Sequence, residues 1–207
     1  MCGRYVVTNA VTKTKGLVKS AIQIEDNENY NAHPYQNLPV IKKYTNGSAL
    51  EKLKWGIVPS WSKKKDFKPL INSRLETIDE KISFKKLIKL KRCIAIADGF
   101  YEWKRTEKEK KPFFFQREDK KIIYFAGIYD ENEFCLITEQ ASENVLEIHH
   151  RQPVILNQKD LKSYLDLQLD GSAFLKEARK PRLEFYEVSK DVNKPSNNSI
   201  SLIQSLN

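Results

Sequence analysis

The sequence predicts one α+β domain over residues 1–207 in which short strands outnumber helices, and three observations carry that prediction. The chain has 207 residues, 40% of them hydrophobic, which is enough for one substantial core, and no linker divides it. Short apolar or alternating runs rich in Val, Ile, Tyr and Phe recur along it, bounded by turn residues. Segments with helical spacing are few and scattered between those runs. No apolar run approaches the roughly 20 residues of a membrane span, and there is no signal-peptide core, so a cytoplasmic protein is expected, nucleoid-associated if prokaryotic.

Taken in order, Cys2 to Val7 alternates as a strand does, which would set Cys2 at a rigid sheet end. Residues 10–22 read as a short helix with Leu17, Val18 and Ile22 on its apolar face. Asn31-Ala32-His33-Pro34 is turn chemistry, with His33 a loop residue. Leu38 to Tyr44 and Ala49 to Val58 read as strands joined by an Asn46-Gly47 turn. The clearest helical pattern is 79–92, where Ile82, Leu87, Ile88 and Leu90 alternate with lysines, a solvated outer helix. Cys93 to Ala97 is a short buried strand running into Gly99 to Lys104. Pro112 to Arg117 and Lys121 to Tyr129 read as a second hairpin, followed by a strand at 133–139. Helices are expected at 141–147, 158–167 and 171–180, a strand at 183–188, and a polar loop from Lys194 to Asn198.

The first five residues, Met1-Cys2-Gly3-Arg4-Tyr5, carry the most specific chemistry. Removing Met1 would leave Cys2 with a free α-amine and a thiol on adjacent carbons. These groups titrate near ~8 and ~8.5, so both are partly available as nucleophiles at neutral pH. An aldehyde meeting this 1,2-aminothiol is captured as an imine and closed by sulfur into a thiazolidine. Cys93 and Cys135 sit in apolar runs and read as buried core thiols, and an odd count of three argues against a disulfide framework. With 36 basic and 27 acidic residues the formal charge is +9, which favours polyanionic partners such as nucleic acid.

Four further clusters matter. Trp55 and Trp61 flank a Pro-broken loop that runs into Lys63-Lys64-Lys65, the pairing of aromatic faces and cations that binds single strands; Trp55 also suits a core, and Trp61 suits either. In an extended segment Asn72 and Arg74 share a face and could converge on a phosphate or on Cys2, although Arg74 could equally pair with Glu76. Glu102 lies between Tyr101 and Trp103, where apolar surroundings raise a carboxyl toward neutrality, unless it pairs with Lys104 on an open face. His149-His150-Arg151 is the densest polar cluster, but no Cys or carboxylate completes a metal site at helical spacing, so no metal and no cofactor is expected.

Together these segments resemble the SRAP family, the SOS-response-associated peptidase domain. The resemblance spans nearly the whole chain. It rests on Met1-Cys2-Gly3-Arg4-Tyr5, Tyr30-Asn31 with Pro34, Trp55-Gly56 with Pro59 and Trp61, Ile71 to Thr77, Ala97 to Trp103, Ile148 to Pro153, and Val188-Ser189 with Leu202-Ile203-Gln204. It implies a bent, barrel-like, mainly antiparallel sheet with a few peripheral helices. It also implies a monomeric protein that senses abasic sites in single-stranded DNA and crosslinks to them through a thiazolidine on Cys2. In that scheme Asn72 orients the Cys2 backbone and amine, Glu102 shuttles protons, and His149 steadies the sugar oxygen. Arg74 grips a phosphate, and Arg4 and Trp61 face DNA. Met1 would leave by attack of Cys2 on the preceding carbonyl or through a host aminopeptidase. His150 stands where relatives often carry an acid, and Trp61-Ser62 replaces what can be a Trp pair.

Two other functions fit parts of the pattern. An N-terminal-nucleophile amidotransferase also begins Met-Cys-Gly, but is Gly-rich, whereas this chain has 7 Gly. A non-covalent single-strand binder would use the basic loops and Trp61 and leave Cys2 inert.

Overall fold

The computed structural model describes residues 2–62, 66–107 and 109–206. Its strands, in chain order, are β1 (Tyr5–Thr8), β2 (Ser20–Ala21), β3 (Glu28–Ala32), β4 (Asn37–Tyr44), β5 (Gly47–Trp55), β6 (Asn72–Arg74) and β7 (Arg92–Ala97). There follow β8 (Gly99–Arg105), β9 (Lys110–Arg117), β10 (Ile123–Asp130), β11 (Glu133–Gln140), β12 (Arg151–Pro153), β13 (Ile155–Leu156) and β14 (Leu183–Glu187). The helices are short and peripheral: α1 (Ala10–Thr14), α2 (Leu87–Leu90), α3 (Glu143–Leu146), α4 (Leu161–Tyr164) and α5 (Gly171–Glu177).

The strands form two mainly antiparallel sheets. The smaller has the order β14-β9-β8-β1-β3 and the larger β12-β11-β10-β7-β4-β5-β2, with β6 and β13 pairing β11 and β10 at its flank. In the larger sheet β4 pairs with β5 and β7, β7 with β10, and β10 with β11. The parallel contacts Glu133–Lys54 and Phe134–Trp55 then bring β11 back onto β5, so the five strands close a ring. This is the bent, barrel-like α+β sheet that the resemblance implied.

One near-continuous strand links the two sheets, with β7 in the larger, β8 in the smaller and Asp98 at the corner. Asp98 Oδ2 accepts from the Thr8 amide and hydroxyl, each at 2.8 Å, which pins the corner to β1. At Gly99 a Cβ would stand 2.1 Å from a Phe114 ring carbon and 2.5 Å from the Phe115 carbonyl, so only glycine lets β8 approach β9 there.

Tyr5 of the smaller sheet packs on Trp55 and Phe125 of the larger, with ring centroids at 5.1 and 5.7 Å, and Trp55 stacks on Phe134. All four rings are fully buried, each worth about 1.5–3 kcal/mol of apolar transfer. On the other face of the smaller sheet, Val6, Tyr101 and Phe114 pack against Val188, Val192 and Leu202 of the C-terminal segment. Because residues alternate along β8, Phe100 and Glu102 face the main core side while Tyr101 faces this second cluster.

Several sequence expectations need correction. The helix read over 10–22 stops at Thr14, because Gly16 turns the chain at φ 86° and Ser20–Ala21 pairs with β5. Of the helix read over 79–92 only Leu87–Leu90 is α-helical; Phe84, Leu87 and Ile88 are buried, whereas Ile82 and Leu90 are exposed. Pro112–Arg117 and Lys121–Tyr129 do not pair as a hairpin: β9 belongs to the smaller sheet and β10 to the larger, and residues 118–122 carry the chain between them. The hairpins are instead β8–β9 and β10–β11. In the β4–β5 hairpin, Tyr44 pairs with Gly47, so Thr45-Asn46 is the two-residue turn and Gly47, at φ 130°, starts the next strand. Residues 28–32 form β3 rather than leading into a turn at Asn31, and the regular pairing of β1 starts at Tyr5, not at Cys2. Trp55, Cys93 and Cys135 are buried as expected.

Candidate active site

Cys2 lies ahead of β1, yet it is held as firmly as a strand residue. The β1–β8 register pairs Tyr5 with Phe100 and Val6 with Gly99, and the Tyr101 amide donates to the Arg4 carbonyl at 2.9 Å. Continued by two residues, that register sets Gly3 opposite Glu102. From the other side, β6 runs parallel to β11 with Asn72 against Leu136. Ser73 is buried, so Asn72 and Arg74 share the opposite face, as their spacing predicted. The Asn72 Nδ2 donates to the Cys2 carbonyl at 2.8 Å. Its Oδ1 is buried and has no hydrogen-bond partner among the described residues.

Electrostatics around Cys2 favour neutral groups. The Cys2 side chain is fully buried, and its Sγ lies 3.9 Å from the Arg4 carbonyl. Burial foremost, and the negative charge of Glu102 after it, push the thiol well above its ordinary range. Glu102 is 3% exposed and burial raises its carboxyl in turn. The reading that paired Glu102 with Lys104 on an open face does not hold, since Glu102 is buried and Lys104 exposed. A resting thiol therefore keeps its proton, and Glu102 is a carboxyl poised nearer neutrality than a surface Glu.

His149 follows α3, where its Nδ1 lies 3.0 Å from both the amide and the carbonyl of Arg151. Nδ1 can donate to the carbonyl or accept from the amide, and either way Arg151 fixes the plane of the ring. Burial lowers the His149 pKa, which keeps the neutral form dominant at pH 7. The rings of His149 and His150 stack with centroids 4.4 Å apart. Arg151 is locked in place: its guanidinium binds both Glu76 carboxylate oxygens at 2.7 and 2.9 Å and the Thr138 carbonyl at 2.8 Å. Glu76 is thus the partner of Arg151 and not of Arg74.

An open cleft of about 510 Å³ gathers Gly3, Arg4, Glu102 and His149 with Trp103 and Lys110. Cys2 is buried beside it, held by Asn72. The DNA-facing residues are more dispersed. Arg4 lines the cleft, but its Nη1 donates to Asn31 Oδ1 at 2.6 Å and to the Val192 carbonyl at 2.8 Å. Arg74 is exposed beyond Asn72, and its charge is among those that hold the His150 pKa down, after that of His149. Trp61 is 51% exposed, meets Phe67 edge-on at 5.9 Å, and is not among the residues lining the cleft. Lys63-Lys64-Lys65 lies outside the described residues.

Sequence reasoning missed part of the wall. Trp103 Nε1 donates to Asn193 Oδ1 at 2.8 Å, and the Lys110 ammonium sits 4.6 Å over the Trp103 ring. Trp103 stood in a conspicuous motif; Asn193, 90 residues away, carried no local signal.

A family model described as SOS response associated peptidase (SRAP) matches residues 1–195. The chain belongs to the SRAP family. Among its relatives, the abasic site processing protein YoqW of Bacillus subtilis (strain 168) is 34% identical, over 99% of this chain and all of that protein. The abasic site processing protein YedK of Escherichia coli (strain K12) is 30% identical over 99% of both chains. Among solved structures, a protein from Bacteroides thetaiotaomicron has the same fold, with a TM-score of 0.84 at 23% identity over 99% of both chains. Within the family's chain, Cys2, Asn72, Glu102 and His149 come from three separate parts of the fold: the segment before β1 with its neighbour β8, the flanking strand β6, and the turn before β12.

Proposed function

We propose that this protein processes abasic sites in single-stranded DNA by a covalent reaction of Cys2 with the lesion's aldehyde. The observation that carries the reading is the restraint on Cys2: its carbonyl is held by Asn72 at 2.8 Å, beside a buried Glu102 and a cleft lined by His149. The names of the relatives, abasic site processing proteins, agree with it.

Removal of Met1 creates the α-amine. The buried Asn72 Oδ1 is the acceptor for one of its N–H groups, which aims the nitrogen lone pair at the aldehyde. Attack on the open-chain C1′ gives a carbinolamine. Glu102, whose carboxyl burial raises, acts in its protonated form as the acid that delivers a proton to the leaving hydroxyl, and one water departs as the iminium forms. Sulfur then adds to the carbon of that iminium, and the thiol proton returns to the Glu102 carboxylate, leaving the ring nitrogen with its one hydrogen. The sum is aldehyde plus aminothiol giving thiazolidine plus water. His149, neutral at pH 7 and lining the cleft, donates a ring N–H to the sugar ring oxygen as the ring opens. Arg74 and Trp61 hold the strand through a phosphate and a base face. No cofactor enters any step, and the chain acts as a monomeric unit. Attack of the same thiol on the Met1 carbonyl would break the Met1–Cys2 amide bond and move the Met1 acyl group to sulfur, and water would hydrolyse that thioester to release Met1 and restore the thiol.

The test is a denaturing gel of Met-processed protein with single-stranded DNA carrying one abasic site, beside intact DNA and a Cys2→Ala variant. A heat-stable band that needs both the lesion and Cys2 supports the reading. Binding that weakens with salt but leaves no denaturation-resistant band, in wild type and variant alike, would instead make the protein a non-covalent binder.

A further inference from the structure

After β14 the chain makes a 3₁₀ turn at Lys190–Asn193 and runs over the outer face of the smaller sheet. Besides the segment's own Asn198 and Lys190, which reach β3 and Glu109, two side chains of the sheet hold it. Arg4 Nη1 donates to the Val192 carbonyl at 2.8 Å and to Asn31 Oδ1 at 2.6 Å. Asn31, on β3 and 1% exposed, turns its Nδ2 toward the carbonyls of Asn197 at 2.8 Å, Lys194 at 3.1 Å and Val192 at 3.3 Å. The same segment delivers Asn193 to the cleft wall, against Trp103 Nε1.

We propose that Arg4 and Asn31 form a positioning clamp, fastening segment 189–198 to the segment that carries Cys2 and to β3, and thereby fixing the Asn193–Trp103 wall of the cleft. Arg4 then serves the reaction through this wall and not as a ligand of a DNA phosphate. A phosphate drawing on Nη1 would have to displace two short bonds and leave the buried Asn31 oxygen unpaired. The Arg4 Nε is itself buried with no partner among the described residues, so with Nη1 engaged only Nη2 is left to reach a strand. The clamp's kinetic consequences rest on the crosslinking reading above; its structural consequences do not.

The experiment compares wild type with Arg4→Gln, Asn31→Ala and the double variant in three readouts. The first is the crosslinking rate at saturating single-stranded DNA with one abasic site. The second is the salt dependence of binding to intact single-stranded DNA. The third is amide hydrogen exchange over residues 189–204. Misplacing a wall by about 1 Å costs up to ~100-fold in rate, so each single variant is expected to lose on the order of 10-fold or more. Because both act through one segment, the double variant loses little more than the worse single. Exchange over 189–204 speeds up while the core strands stay protected, and the salt slope stays at the wild-type value. A slope lower by about 0.7 in Arg4→Gln, with exchange unchanged, would overturn the clamp and make Arg4 a phosphate ligand. Should Asn31→Ala fail to fold, Arg4→Gln alone decides by the same slope and exchange, with Arg4→Lys expected to recover part of the rate. A wild type that gives no crosslink refutes the proposed function and leaves the exchange comparison to judge the clamp.

Discussion

The hydrogen bond from Asn72 to the Cys2 carbonyl gives the most direct handle on the mechanism. Replacing Asn72 with Ala removes the 2.8 Å donor and leaves a partly buried carbonyl without it. An unsatisfied group of that kind costs about 1–3 kcal/mol. The same change removes the buried Oδ1 that would receive the Cys2 amine. If that energy is spent on holding Cys2 for attack, it converts to a rate loss of about 5-fold to 150-fold. The assay is single-turnover crosslinking of Met-processed protein to an abasic oligonucleotide, quenched in denaturant and measured at saturating DNA. Saturation removes any contribution from binding. Asn72→Asp should fall further, because it sets an acceptor against the Cys2 carbonyl. A melting curve run alongside shows whether the variant is folded. An Asn72→Ala protein that melts normally and crosslinks within about 2-fold of wild type would refute the argument.

Four other variants follow from the same geometry. Glu102→Gln removes the proton shuttle and should slow crosslinking by about 100-fold or more. It should also abolish a pH dependence that lies above the ordinary carboxylate range, since burial raises Glu102. The sign for stability is that a raised folded-state pKa favours the protonated form. Its contribution is present below the unfolded value and is lost as pH rises through the folded one. The Gln variant's melting advantage therefore grows with pH, which melts on either side of neutrality will show. Glu76→Ala leaves the Arg151 guanidinium buried without its bidentate partner; with Glu76 itself half-exposed, the cost is about 2 kcal/mol, or roughly 4–8 °C in melting temperature. Glu76 is held low by its bonds from Arg151, so this difference is present above the ordinary carboxylate range and closes as pH falls through the depressed value. Arg74→Ala should lower the salt slope of single-strand binding by about 0.7, while Trp61→Ala should weaken binding by about 1–3 kcal/mol without a slope change; fluorescence titrations across a salt series measure both.

What was legible in the sequence divides along the range of the interactions that decide it. Strand alternation and the β4–β5 hairpin were legible because neighbouring residues set them. The helix over 10–22 was misread because Leu17 and Val18 keep helical spacing while Gly16 breaks the chain. The helix over 79–92 was misread because its lysine-rich pattern leaves Ile82 and Leu90 in solvent. The pairing of β9 and β10 failed for a different reason: the two strands are neighbours in sequence yet belong to different sheets, and nothing local announces a crossing. In the site, Cys2, Asn72, Glu102 and His149 stood out through their motifs, and the fold brings Asn72 onto Cys2. The roles of Arg4, Asn31 and Asn193 were hidden, since each depends on a partner that sequence separation conceals, 161 residues away in the case of Asn31 and Val192.

The measurement that tests the central claim most directly is the intact mass of Met-processed protein after incubation with a single-stranded oligonucleotide carrying one abasic site. The account predicts a species equal to protein plus oligonucleotide less one water, stable to denaturation and absent from Cys2→Ala. Recovery of only unmodified protein and oligonucleotide, under conditions where the two bind, would contradict it.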